Sequence, residues 1–183
     1  MKELSLHLLD IAENSINAGA SHVTISIDQN TNEDRLTMSV KDNGKGMTPE
    51  MALRIVDPFT TSRTTRKVGL GIPLLKAAAE MCNGFLSITS QPGVGTELVV
   101  QFERGHIDRM PIGDLTGTIL HLVVGSPDTH WTFIYKADDE IFEFDDQFLK
   151  DELDGIPLSE PEVLSFIRNE LTNGIKKISK YEY

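Results

Sequence analysis

Four clusters along the chain hold residue types that can do chemistry together. Asp10, Asn14 and Asn17 stand at i, i+4 and i+7, with Glu13 beside them. On a helix that spacing places 10, 14 and 17 on one face. A carboxylate and an amide oxygen one turn apart can hold a hydrated Mg2+ or orient a water molecule. A polar helix face is, on its own, usually just solvated. The second cluster is Asp42-Asn43-Gly44-Lys45-Gly46. An Asp closing a strand can accept a hydrogen bond from an exocyclic amine such as that of adenine, and glycines let backbone approach a flat ring closely. The bland reading is an Asn-Gly turn. The third runs from Phe59-Thr60-Thr61-Ser62 to Gly69-Leu70-Gly71 and opens onto a helix at Ile72-Pro73. Backbone N–H groups at a glycine-rich helix start bind anions, and Arg63, Arg66 and Lys67 add positive charge beside them. Otherwise it is a surface loop. The fourth is Gly93-Val94-Gly95-Thr96, where the threonine hydroxyl can reach back to Asp42.

The elements that must position these residues follow from periodicity. Residues 4 to 18 read as a helix with an apolar stripe of Leu6, Leu9, Ala12 and Ile16, closed by Gly19. Val23 to Ile27 and Leu36 to Val40 alternate as half-buried strands do, joined through a polar hairpin-like linker, Asp28 to Asp34. A short helix spans 49 to 56, with Pro49 early in it. Residues 57 to 71 lack periodicity over about 15 residues, long enough to suggest a functional loop. A helix over 72 to 82 ends at Asn83-Gly84. Strands 85 to 90 and 98 to 102 follow, joined through Gln91 to Gly95. Hairpin-linked strands beside helices predict an α+β fold: a two-layer sandwich of a mixed β-sheet covered on one face by helices.

Beyond Arg104 the pattern changes. Leu115 to Val124 reads as a helix, and Trp131–Tyr135 with Ile141–Phe144 as a hairpin. Ser159 and Glu162 have capping-box spacing, opening a helix to about Ile178. The division expected is residues 1–103 as a nucleotide domain and 104–183 as a small α/β extension. Acidic residues dominate from Asp138 to Asp154, among them Asp145, Asp146, Asp151 and Glu152. They predict a solvated acidic face, or alternatively a docking surface for a partner. Calcium-loop spacing is missing. Trp131, Phe133 and Tyr135 alternate as core residues do.

In this order the clusters resemble the GHKL family, the histidine-kinase-like ATPases. Asp10-Ile11-Ala12-Glu13-Asn14-Ser15 matches its N box and Asp42-x-Gly44-x-Gly46 its first glycine box. Phe59-Thr60-Thr61 matches the F box, Gly69-Leu70-Gly71 the second glycine box and Gly95-Thr96 the third. The resemblance covers about residues 1 to 103. It implies that Asn14 coordinates Mg2+ and that Asp42 binds the adenine amino group. It further implies that Gly46 and Thr96 line the ring, and that Gly69, Leu70 and Gly71 meet the phosphates from a lid. Asn17, Gly44, Thr61 and Lys67 go with them as nucleotide-binding positions. ATP and Mg2+ are thus the implied cofactors. No G-x-x-x-x-G-K-[ST] and no G-x-G-x-x-G occurs, so other nucleotide folds lack support.

Composition bounds the rest. The 183 residues carry a formal net charge of −11, which argues against DNA, RNA or an anionic membrane as partner. The single cysteine, Cys82, excludes an internal disulfide and fits a reducing compartment. No signal peptide and no apolar run of about 20 residues is evident, so a cytoplasmic protein is expected.

Hydrolysing members of the family place Glu four residues before the metal-binding Asn; here that position is Asp10. The shorter side chain retracts the carboxylate by about 1.5 Å. Asp10 is the base candidate, while Glu13 points about 100° away. None of His7, His22, His106, His121 and His130 stands in an acceptor motif, and no acceptor hairpin precedes the N box. The expectation is a Mg-ATP-binding kinase or phosphotransfer component of signal transduction, acting on a separate protein partner. The alternative is an ATP-dependent conformational switch or slow ATPase.

Overall fold

A computed structural model describes residues 3–57 and 71–179. Twelve elements lie within them. They are α1 (Leu4–Asn17), β1 (His22–Asn30), β2 (Arg35–Asp42), α2 (Pro49–Val56), α3 (Gly71–Met81), β3 (Phe85–Gln91) and β4 (Gly95–Glu103). Then follow α4 (Leu115–Gly125), β5 (His130–Ala137), β6 (Glu140–Asp145), α5 (Asp146–Glu152) and α6 (Pro161–Ser179). The strands form one sheet in the order β3-β4-β2-β1-β5-β6. Every neighbouring pair is antiparallel except β1 and β5, which run parallel.

Strand alternation decides the layers. Val23, Ile25 and Ile27 of β1, Leu36, Met38 and Val40 of β2, and Leu98, Val100 and Phe102 of β4 are buried under the helices. The residues between them, such as Thr24, Ser26, Thr37 and Ser39, form the opposite face, where Ser26 and Ser39 share a hydroxyl hydrogen bond of 2.6 Å. The helices follow the sheet in order. α3 packs on β3 and β4, α1 on β1 and β2, and α6 on β5 and β6, with α4 between α1 and α6. This is the two-layer α+β sandwich with a mixed sheet that the pattern predicts.

The sheet does not stop at residue 103. β5 lies beside β1 along its whole length, from His22 opposite His130 to Gln29 opposite Ala137. Trp131, Phe133 and Tyr135 are buried in the same core as Ile25 and Ile27. The connecting segment also caps α1, because the N–H groups of Leu4 and Ser5 donate to the carbonyls of Pro111 and Ile112 at 3.0 and 2.8 Å.

Three local expectations need correction. The buried stripe of α1 is Leu4, Leu8, Ile11, Ala12 and Ser15, together with Ser5 and His7, while Leu6 is 40% exposed. Of the polar members of that face, Ser15 bonds Asp42, while Ser5 Oγ and His7 Nδ1 have no hydrogen-bond partner among the described residues. The long C-terminal helix begins at Pro161, where proline is tolerated in a first turn. The acidic segment is not a solvated face throughout. Asp145 caps α5 by accepting the Gln147 N–H at 2.9 Å, and it bonds His130 Nε2 at 2.8 Å. Asp146 is fully buried; it accepts the Trp131 N–H at 2.7 Å and pairs with Lys150 at 2.7 Å. Burial pushes its carboxyl above the usual range, with Lys150 opposing that shift.

Gly174 sits where an added Cβ would come within 2.2 Å of the Phe142 ring. Gly174→Ala should therefore destabilise the fold by about 1 kcal/mol, because overpacking outweighs the helix-propensity gain. In a Phe142→Leu background the same change should become neutral or stabilising, read by denaturant titration. A second test concerns His22 and His130, whose rings stack at 4.1 Å with a 9° interplanar angle across β1 and β5. Burial lowers the His22 pKa, and the neighbouring His130 lowers it further. The folded value thus lies below the unfolded value of about 6.5, so the unfolded chain binds more protons as pH falls through that range. Stability from His22 is full above about pH 6.5 and declines on acidification. His22→Gln should flatten the slope of melting temperature between about pH 7 and about pH 5; an unchanged slope would exclude this cause.

Candidate nucleotide site

The site is built around Asp42. Position 42 ends β2, and alternation with Val40 turns its side chain toward the helix layer. There Oδ2 accepts the Ser15 hydroxyl of α1 at 2.7 Å. Oδ1 accepts the Gly44 N–H at 2.9 Å and the Thr96 N–H at 3.3 Å. The carboxylate is thus fixed by three chain segments while remaining half-buried. Thr96 reaches Asp42 by its backbone rather than by its hydroxyl, which instead pairs with Ser90 Oγ at 2.8 Å. Ser90 Oγ also accepts the Met47 N–H at 2.8 Å, so the third glycine box and the turn after Gly46 are held together.

Two glycines make this closeness possible. A Cβ on Gly46, at φ +65°, would lie 2.0 Å from the Gln91 carbonyl oxygen. One on Gly95, at φ +137°, would lie 2.0 Å from that of Asp42. The glycines therefore let two backbone segments touch, in addition to any approach to a ring. Gly44 is buried against Ala18, and the Lys45 N–H donates to the Ala18 carbonyl at 3.0 Å. Asn43 faces elsewhere. Its Oδ1 accepts the N–H groups of Ser21 and His22, both at 2.9 Å, and it is a structural clamp on the start of β1.

Asp10 lies half-buried and Asn14 and Asn17 exposed along α1, on the side away from the core. Among the described residues none of these side chains, nor that of Glu13, has a hydrogen bond or ion pair, so their oxygens stay available. A carboxylate and an amide oxygen one turn apart, both hard donors, fit Mg2+. Gly71 is buried at the first position of α3. His7, buried on α1, lies against its backbone and is held below the usual imidazole range by burial. Phe59, Thr60, Thr61, Ser62, Arg63, Arg66, Lys67, Gly69 and Leu70 lie outside the described residues. The structure thus brings together Asp42, Gly44, Gly46 and Thr96, and sets Asp10, Asn14 and Asn17 along the helix that Ser15 ties to Asp42.

Sequence reasoning assigned no role to Ser15 or Ser90. A signal for Ser15 existed: it stands four residues after Ile11, inside the buried stripe, where a lone hydroxyl requires a partner. A groove of about 630 Å3 reaches Asp42, Ser90, Gly95 and Thr96 and is lined further by His22, Thr24, Lys41, Thr89 and Glu97.

The sequence family described as histidine kinase-, DNA gyrase B-, and HSP90-like ATPase matches residues 2–106. The chain is 35% identical over 103 residues to the CAI-1 autoinducer sensor kinase/phosphatase CqsS of Vibrio cholerae, covering 55% of this chain and 15% of that protein. It is 29% identical over 109 residues to the histidine protein kinase SaeS of Staphylococcus aureus, covering 57% of this chain and 31% of that protein. It thus spans less than a third of the length of these curated relatives. The fold is similar to the N-terminal domain of a DNA repair protein, with a TM-score of 0.56 at 14% identity, covering 79% of this chain and 52% of the other. It is also similar to the Aquifex aeolicus MutL ATPase domain complexed with ADP, with a TM-score of 0.52 at 16% identity, covering 84% and 68%. With the match over residues 2–106, the chain belongs to the family of histidine kinase-, DNA gyrase B- and HSP90-like ATPases and carries its ATP-binding domain.

Proposed function

We propose that this domain binds Mg-ATP and passes the γ-phosphate to a side chain of a separate protein. The observation that carries this reading is the placement of Asp10. It sits one turn before Asn14 on the outward side of the same helix that Ser15 fastens to Asp42. Asp42 then takes the adenine amino group, with Thr96 and Gly46 beside the ring. Asn14 holds the cation, which when bound would neutralise charge on the phosphates. Asp10 accepts the proton as the acceptor hydroxyl attacks the γ-phosphorus. The new O–P bond forms as the bond to the β–γ bridging oxygen breaks, and ADP leaves. Lys67, Thr61 and the backbone of Gly69 to Gly71 are the groups proposed for the phosphates. The kinase relatives support the reaction class, and residues 104–183 are the proposed docking module for the partner.

A second reading has one specific observation in its favour. Asp10 is one methylene shorter than the glutamate of hydrolysing members, which suits an ATP-dependent switch with slow or no turnover. Purified protein with γ-labelled ATP and cell extract separates the two. The kinase reading expects a labelled partner protein, with labelling reduced at least about 100-fold in Asp10→Asn while ATP binding persists. Tight ATP binding without label on any protein and without phosphate release would sink it.

The base pocket has its own test. In Asp42→Asn one oxygen remains to accept the Gly44 and Thr96 N–H groups, so the amide NH2 must face Ser15 and the bound base. A donor then confronts the adenine amine. ATP affinity should fall about 10- to 100-fold, and the preference for ATP over GTP should narrow, because guanine presents an acceptor there. Unaltered binding of both nucleotides would remove Asp42 from the pocket.

A further inference from the structure

The far end of the sheet holds a second polar cavity. It measures about 350 Å3 and is lined by Gln29, Arg104, Gly105, His106, Arg109, Pro111 and Ile112. No carboxylate lines it. Two guanidinium groups and an imidazole surround it, with Asp34, Asp108 and Asp138 outside its lining beside them.

These groups are held in place. Arg109 is half-buried; its Nε donates to the Arg104 carbonyl at 2.6 Å and its Nη1 to the Met110 carbonyl at 3.0 Å. A guanidinium has five N–H donors, so three remain. Arg109 forms no salt bridge among the described residues. Arg104 is 16% exposed, with Asp34 on one side at 3.9 Å. His106 Nδ1 accepts the Asp108 N–H at 3.2 Å, which leaves the proton of the neutral ring on Nε2 as a donor. Asp108 Oδ2 lies 3.9 Å from the same Nδ1.

We propose that this cavity is a binding site for a phosphate group, separate from the nucleotide site. The three remaining donors of Arg109, the Nε2–H of His106 and the charge of Arg104 fit a tetrahedral dianion, whose oxygens can be met from several directions. A carboxylate offers only two oxygens. The site lies at the end of β1 that is remote from Asp42, about 20 Å along the strand. None of its lining residues is among those assigned to the nucleotide. It also touches the nucleotide helix mechanically: Pro111 and Ile112 line the cavity, and their carbonyls cap Leu4 and Ser5. An anion gripped by Arg104 and Arg109 braces the segment on which α1 begins. This coupling rests on α1 being the nucleotide helix, whereas anion binding does not.

Inorganic phosphate titrated into the isotope-labelled full chain tests the site by NMR. Sodium chloride at matched ionic strength is the control, and a non-hydrolysable ATP analogue occupies the nucleotide site. Saturable shifts centred on Arg104 to Ile112 are expected. Arg109→Gln should weaken binding at least about tenfold, and Arg109→Lys should fall between, since an ammonium keeps charge but loses the fork. Arg109→Gln forfeits two carbonyl bonds, so His106→Glu serves as the second variant. It leaves those bonds intact and puts a carboxylate in the cavity, and it should abolish saturation. Non-saturating shifts equal to those in chloride, or wild-type affinity in folded His106→Glu, overturn the proposal. Phosphate should alter nucleotide affinity in the wild type and not in His106→Glu. Equal nucleotide affinity with and without phosphate removes the coupling alone. If the analogue fails to bind, the shifts of residues 104–112 in the free protein still decide the anion site.

Discussion

The carboxylate of Asp42 joins three segments that are distant in sequence. It takes a hydroxyl from α1, an N–H from the turn after β2 and an N–H from the start of β4. Charge-assisted hydrogen bonds of this kind are stronger than neutral ones, and three together fix both oxygens. The constraint runs outward from there. Ser15 must lie on the buried side of α1, which turns positions 10, 14 and 17 outward. Thr96, the second residue of β4, must lie directly opposite Asp42, and the observed register has that pairing. The anchor at Asp42 therefore also sets the rotation of the helix presenting Asp10 and Asn14.

Steric demands reinforce this. The turns after β2 and before β4 touch through backbone atoms, with Gly46 against Gln91 and Gly95 against Asp42. Any side chain there would force apart the two segments whose N–H groups hold the carboxylate. A conservative-looking Gly→Ala at either position thus acts on the pocket through Asp42 rather than through lost contact with a ligand. Asn43 completes the arrangement by clamping Ser21 and His22, so the turn that carries Gly44 and Gly46 is pinned on both sides.

Much of the sandwich was legible because strand alternation and helix punctuation are local signals. Val23 to Ile27 and Leu36 to Val40 reveal their inner faces by period two, and Thr48-Pro49 marks the start of α2, with Thr48 Oγ1 accepting the Met51 N–H at 3.3 Å. The order of glycine boxes located Asp42 and Thr96. What stayed hidden depended on partners far away. The face of α1 could not be chosen from its leucines, because two apolar series overlap, and the one that packs on α4 and the sheet is the one that brings Ser15 to Asp42. The role of Thr96 was right in target and wrong in atom, since the hydroxyl is claimed by Ser90. Asp146 reads as surface charge by type, yet Lys150 one turn later and the Trp131 N–H make its burial tolerable. Nothing in the spacing of acidic residues separates it from Asp151, which stays exposed.

The parallel pairing of β1 with β5 has a mechanical consequence. A parallel neighbour requires a long crossover, and here the crossover carries β2 to β4, the segment capping α1, and α4. Residues 104–183 thus share β1 as a common strand and hold the first turn of α1 through Pro111 and Ile112. β1 begins at His22, which Asn43 binds beside Asp42, and near its other end Gln29 donates from its side chain to Tyr135 in the core of the C-terminal half. A load applied to β5 or β6 therefore has two routes into the N-terminal half, one along β1 to Asp42 and one through the cap to Asp10 and Asn14. An extension attached by a flexible linker would have neither route.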